Sequence, residues 1–201
     1  MKKLTILLAV CLLSACVSGR RGAETNADVY DLGPDSGVRH AVTQTGIALE
    51  VRMPLWLVSL GIQYRLLYSG ESKLREYGYA RWAGMPDDLV EQRLGQELGL
   101  ATVRDGVSVP CLLSIDIDQF GQNFGSASDS RGVIVGKARL LDNRRALIAS
   151  RQIKIEHPAP TANAQGGVRA LTAATDTLAD ELAQWLDQLA KSRKLECTAN
   201  P

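Results

Sequence analysis

Val168, Leu171, Thr175, Leu178, Leu182, Trp185 and Leu189 recur at alternating spacings of three and four residues. That spacing predicts one long helix from about Gly167 to Leu189, with an apolar stripe along one side. Such a stripe must be covered. A partner coiled coil is one way to cover it. A threonine and several alanines on the stripe suit packing against the chain's own sheet better, and that requirement selects a layered fold.

The strands for that sheet are legible as alternations of period two. Val29 to Leu32 is a short edge-strand candidate stopped by Gly33-Pro34. Ile47, Leu49, Val51 and Met53 alternate with Ala48, Glu50 and Arg52, and Pro54 ends the run because proline cannot donate to a ladder. Ile62 to Tyr68 and Lys73 to Tyr79 flank Ser69-Gly70-Glu71-Ser72, which predicts an antiparallel hairpin. In Cys111 to Phe120, residues Cys111, Leu113, Ile115 and Ile117 share one face, with Ser114, Asp116 and Asp118 on the other. Gly121 to Gly132 reads as a Gly/Ser loop. Val133 to Leu141 and Ala146 to Glu156 follow around Asp142-Asn143, and His157-Pro158-Ala159-Pro160 breaks the sheet.

A second helix opens at Pro86, which suits the first helical position because its missing N–H would be unbonded there. Asp87 and Asp88 set negative charge against the positive end of the helix dipole. Val90, Leu94 and Leu98 form its stripe, and Gly99 is placed to terminate it. The expected fold is α+β: one domain over residues 29–190, an antiparallel-dominated sheet of about five or six strands covered by two helices. Leu55 to Leu60 is apolar and reads as a helical turn or a packed loop, with Trp56 as a core anchor.

The first residues set the compartment. Lys2 and Lys3 precede the apolar run Leu4 to Leu12, which is too short to cross a bilayer and has the build of a secretory signal. Leu13-Ser14-Ala15-Cys16 matches a lipobox, so residues 1–15 are expected to be removed and Cys16 to be acylated on sulfur and nitrogen. Two or more acyl chains hold a protein stably to a membrane. Val17 to Asp28 is small and polar, a tether over residues 16–28, and residues 191–201 form a polar tail. Of the four cysteines, Cys11 leaves with the signal and Cys16 is acylated. Cys111 and Cys197 remain, and in an oxidising periplasm such a pair suggests a disulfide; two unrelated thiols are the alternative.

The precursor's net charge of +1 becomes −1 once Lys2 and Lys3 are removed. That lacks the basic footprint of a nucleic-acid binder. No Gly-x-Ser-x-Gly, phosphate loop or Cys-x-x-Cys spacing occurs, so neither a catalytic residue nor a metal or cofactor site is assigned. His40 and His157 fall in expected loops. Asp116 and Asp118 would need a cleft and raised pKa values to act as catalytic carboxylates; as solvent-facing residues they need nothing. Trp and Arg are enriched where binding energy concentrates. Tyr77, Tyr79, Arg81 and Trp82 are therefore the partner-contact candidates, with Trp82 packing beneath the Pro86 helix as the alternative.

Arg81-Trp82-Ala83, followed by Met85-Pro86, Leu89-Val90, Leu94 and Leu98, resembles the auxiliary lipoproteins of ABC-type lipid-transport systems, the PqiC-like proteins. Tyr30-Asp31-Leu32-Gly33, the Leu-rich segment after Pro54 and Tyr64-Arg65 extend the resemblance over roughly Tyr30 to Leu189. The family often has Asp where Val58 stands and Glu where Gly84 stands. The resemblance implies a non-enzymatic accessory lipoprotein of the outer membrane, facing the periplasm and forming a homo-oligomer. Its implied partner is the MCE-domain subunit of an ABC system that moves lipids or other hydrophobic molecules. Two rivals stand beside it: a lipid-binding carrier with an enclosed apolar cavity, and a hydrolase gathering Asp116 or Asp118 with His40 or His157.

Overall fold

The computed structural model describes residues 27–34, 40, 46–106, 109–192 and 197. The expected signal segment, Cys16 and nearly all of the tether lie outside the described residues, as does most of the tail. Eight strands are described: β1 (Asp28–Tyr30), β2 (Ile47–Arg52), β3 (Gly61–Leu66), β4 (Leu74–Trp82), β5 (Ala101–Thr102), β6 (Cys111–Phe124), β7 (Ser130–Leu141) and β8 (Leu147–Pro158). Helix α1 (Pro86–Leu98) lies between β4 and β5, and α2 (Ala164–Lys191) follows β8.

All eight strands belong to one mixed sheet, larger than the five or six expected and not antiparallel-dominated. The pairs β3–β4, β6–β7 and β7–β8 are antiparallel, whereas β1–β4, β2–β5, β2–β6 and β3–β6 are parallel. The physical reason lies in the connections. Strands joined by a short loop must reverse, and each antiparallel pair here is of that kind. The parallel pairs join strands distant in sequence, and period-two alternation carries no information about direction.

Central β6 borders β7 along one edge and shares its other edge between two strands. Its first half pairs with β2, from Ile47↔Cys111 to Arg52↔Asp116, and its end pairs with β3, from Tyr64↔Gln122 to Leu66↔Phe124. The expected loop from Gly121 is thus strand as far as Phe124. A bulge where Ile117↔Gly136 gives way to Gln119↔Val135 inserts one residue. Side-chain parity therefore flips. Cys111, Leu113, Ile115 and Ile117 face the core before the bulge, and Phe120 returns to it afterwards.

Both helices cover the same sheet face, and one core cluster joins Leu49, Ile62, Trp82, Val90, Leu94, Leu113, Ile134, Leu171, Leu178 and Leu182. Helix α1 carries Pro86 in its first turn, Asp87 and Asp88 beside it, and Gly99 at φ 65° as its left-handed terminator. Helix α2 starts a turn earlier than the stripe suggests, because Asn163 accepts a hydrogen bond from the Gly166 N–H at 2.9 Å and caps it. It crosses β7 at Gly132, where a Cβ would sit 2.7 Å from Ala170 C and Leu171 N. Gly132→Ala is expected to push α2 off the sheet and cost about 1–3 kcal/mol, seen as a lower urea midpoint at unchanged slope.

Candidate functional site

Strand β4 carries all four residues singled out as partner contacts, and the structure divides them. Its register with β3 jumps between Gln63↔Glu76 and Gly61↔Arg81, so the chain between Tyr77 and Ala80 departs from regular pairing. Trp82 is 3% exposed and packs on Phe120 at 5.8 Å between ring centroids. Tyr77 is half-buried: its ring meets Tyr64 at 4.6 Å, and its O–H donates to Gln122 Oε1 at 2.8 Å. Tyr79 is 69% exposed, and Arg81 is exposed with no ion-pair partner among the described residues. Tyr79 and Arg81 are the pair that can reach another molecule.

Burial pushes the Tyr77 phenol well above the ordinary tyrosine range, and the neighbouring Tyr64 adds to the rise. A raised folded pKa means that this group's contribution to stability is complete below about pH 10, the unfolded value, and is lost as pH climbs through the higher folded value. Tyr77→Phe is expected to flatten the alkaline limb of the stability curve. At neutral pH it leaves Gln122 Oε1 without this donor, a loss of about 1 kcal/mol. Urea titrations at neutral and alkaline pH read both effects.

The sheet face away from the helices holds a surface the sequence did not announce. The chain after Pro54 lies against it: Gln63, whose neighbours Ile62 and Tyr64 point to the core side, donates its Nε2 to Trp56 O at 2.8 Å, and Ser59 Oγ donates to Glu76 at 3.0 Å. Leu57 is buried, but Leu55 is 90% and Trp56 64% exposed, so Trp56 is not the core anchor expected of it. Leu60 accepts from the Trp82 N–H at 2.7 Å, which brings this loop against the end of β4. Exposed Leu55, Trp56 and Leu60 on this loop, and Tyr79 and Arg81 at the end of β4, thus lie on neighbouring segments, with the exposed Glu76 carboxylate against Gly61, the residue opposite Arg81. The available sequence signal was Pro54, which stops β2 and forces the following apolar residues out of the ladder.

At the sheet's margin the first described residues are clasped to both helices. Arg93, buried in α1, donates to Leu32 O at 2.9 Å, Gly33 O at 3.4 Å and Pro34 O at 3.2 Å, and to Asp176 of α2 at 2.6 Å. It also pairs with Glu97 at 3.3 Å. At the other end of the chain, Cys197 is buried and joined to Cys111, with their Cα atoms 5.4 Å apart.

The four residues named for a hydrolase are each placed by separate partners or left exposed. Asp116 is held between Arg52 (2.8 Å) and Arg139, while Asp118 is exposed at the bulge. His157 lies on β8, not in a loop, and its Nε2 meets Thr177 Oγ1 of α2 at 2.8 Å. His40 pairs with Asp180 of the same helix. No group of three or more His, Cys, Asp or Glu able to hold a metal occurs among the described residues. A carrier would need an enclosed cavity. The groove beside β1, about 490 Å³ and lined by Tyr30, Leu32, Ala83, Val168 and Thr172 among others, is open to solvent.

No curated protein matches this chain. Among solved structures, a Xanthomonas campestris protein of the DUF330 family is similar at 17% identity and TM-score 0.66, covering 83% of this chain and 99% of that one. A second, described as an uncharacterized protein, is similar at 15% identity and TM-score 0.63, covering 80% and 99%. Both share the fold. The model of the family "ABC-type transport auxiliary lipoprotein component" matches residues 30–183. That span runs from β1, through the Arg81-Trp82-Ala83 segment and the α1 stripe, into the second half of α2, and the chain belongs to this family of transport auxiliary lipoproteins.

Proposed function

We propose that the chain is a non-enzymatic lipoprotein, held by acyl chains on Cys16 at the periplasmic side of the outer membrane. There it serves an MCE-type ABC system for lipids or other hydrophobic molecules by docking the MCE-domain subunit, as a homo-oligomer. The observation that carries this reading is the family match across residues 30–183. The mechanism is positional: acyl chains give membrane affinity and the folded body gives protein contacts. A Cys111–Cys197 bridge formed on export suits that compartment.

Mass spectrometry of the mature N-terminal peptide, with envelope fractionation, tests the anchor. Acylated Cys16 in the outer-membrane fraction, lost from it in Cys16→Ser, is the expected result. An unacylated wild-type Cys16, or a variant that still fractionates with the outer membrane, would contradict it.

A further inference from the structure

We infer that the patch of Leu55, Trp56, Leu60, Tyr79 and Arg81 docks on the phospholipid surface that holds the anchor; this rests on the lipoprotein reading above. The place where the chain enters the fold is the first argument. Strand β1 runs parallel to β4 with Asp28 opposite Ala80, so residue 27 lies beside Tyr79. Gly61 of β3 is opposite Arg81. Tether and patch are therefore about two strand spacings apart, roughly 10 Å. The 11 residues from Val17 to Ala27 span at most about 40 Å even when fully extended. That is about the width of a body this size, so the tether lets the patch reach the leaflet but does not by itself turn it there.

Residue chemistry is the second argument. Leu55, almost wholly exposed, offers apolar surface at the tip of a loop that Leu57 and the Gln63 bond already seat. The fold does not need Leu55 or Trp56. Trp and Tyr rings concentrate where acyl chains meet headgroups, and Trp56 and Tyr79 are so placed. Arg81, without an ion-pair partner among the described residues, is free to meet a lipid phosphate with its planar fork of donors. Acyl chains alone would hold the body near the membrane in any orientation. The patch would fix which face it turns to the lipid, leaving the helix layer turned toward the periplasm.

Tryptophan fluorescence can test this on the intact acylated chain, because Trp82 and Trp185 are buried and Trp56 is the exposed one of the three. The protein is reconstituted into phosphatidylethanolamine–phosphatidylglycerol vesicles whose acyl chains are either plain or brominated. The Trp56 signal is the difference between wild type and Trp56→Phe. Docking predicts that this signal falls about twofold or more with brominated lipid, as expected of an indole at the acyl–headgroup boundary. Arg81→Glu should weaken the quenching while leaving the protein on the vesicles.

A chain that floats with vesicles while Trp56 is equally bright in both lipids would overturn the docking and leave the anchor standing. A wild-type chain that fails to float would overturn the anchored reading, and this inference with it. Protection of Trp56 from a water-soluble quencher that grows with protein concentration in detergent without lipid would assign the patch to contacts between copies and overturn the lipid assignment. Protection arising only on addition of the MCE-domain subunit would likewise overturn it, in favour of a protein partner.

Discussion

Cys197→Ser is expected to lower stability by about 3–5 kcal/mol, from the loop-closure entropy that an 86-residue separation removes from the unfolded chain. For a domain of this size that is a fall of roughly 10 °C in Tm. Cys111 opens β6 opposite Ile47 of β2, and Cys197 follows α2. The link therefore ties the segment after α2 to the first residue of the central strand. Cys111→Ser should match Cys197→Ser, the double variant should be no worse than either, and reductant should reproduce the loss in wild type alone. Urea midpoints that coincide for all four proteins, with and without reductant, would show that the link contributes nothing.

Arg93→Met is the second large effect, expected to cost about 3 kcal/mol or more, as removing one partner of a buried pair generally does. Asp176 and the carbonyls of Leu32, Gly33 and Pro34 all lose their donor together. Arg93→Lys should recover little, because an ammonium cannot span a carboxylate and three carbonyls as the planar guanidinium does. Position matters as much as magnitude. The clasp lies just after β1, the strand through which a pull from the proposed anchor would enter the body. Hydrogen exchange should therefore rise at the amides of residues 30–33 more than at the β6–β7 ladder. Equal exchange in variant and wild type at those amides would show that the segment is held by β1–β4 pairing alone.

Helix boundaries were legible to within a few residues because their signals are local. Pro86 and Gly99 act on the turn they occupy, and Asn163 supplied the remaining turn of α2 through a cap that a stripe of apolar residues does not register. Seven of the eight strands were also legible, whereas the two-residue β5 is too short to show an alternation. Strand direction was not, since it depends on which distant segment returns alongside, and the four parallel pairs all join segments far apart in sequence. The surface residues show the same division. Apolar composition after Pro54 implied core, yet the loop lies on the outer sheet face, with Leu57 turned in and Leu55 and Trp56 turned out. Arg93 went unremarked because a basic residue between Val90 and Leu94 resembles any solvent-facing position. Its burial is created by the return of residues 32–34 over α1. Tyr77 and Trp82 were read as partner-contact candidates together with Tyr79 and Arg81, but the irregular pairing of β4 turns Tyr77 and Trp82 inward and leaves Tyr79 and Arg81 outside.

Affinity capture of the acylated lipoprotein from detergent-extracted envelopes, in cells that also make the MCE-domain subunit of the same transport system, measures the central claim most directly. Co-elution of that subunit with the wild-type lipoprotein, in a defined ratio and resistant to salt, is the predicted result. A folded, acylated lipoprotein that elutes alone while the subunit stays in the unbound fraction would contradict the account.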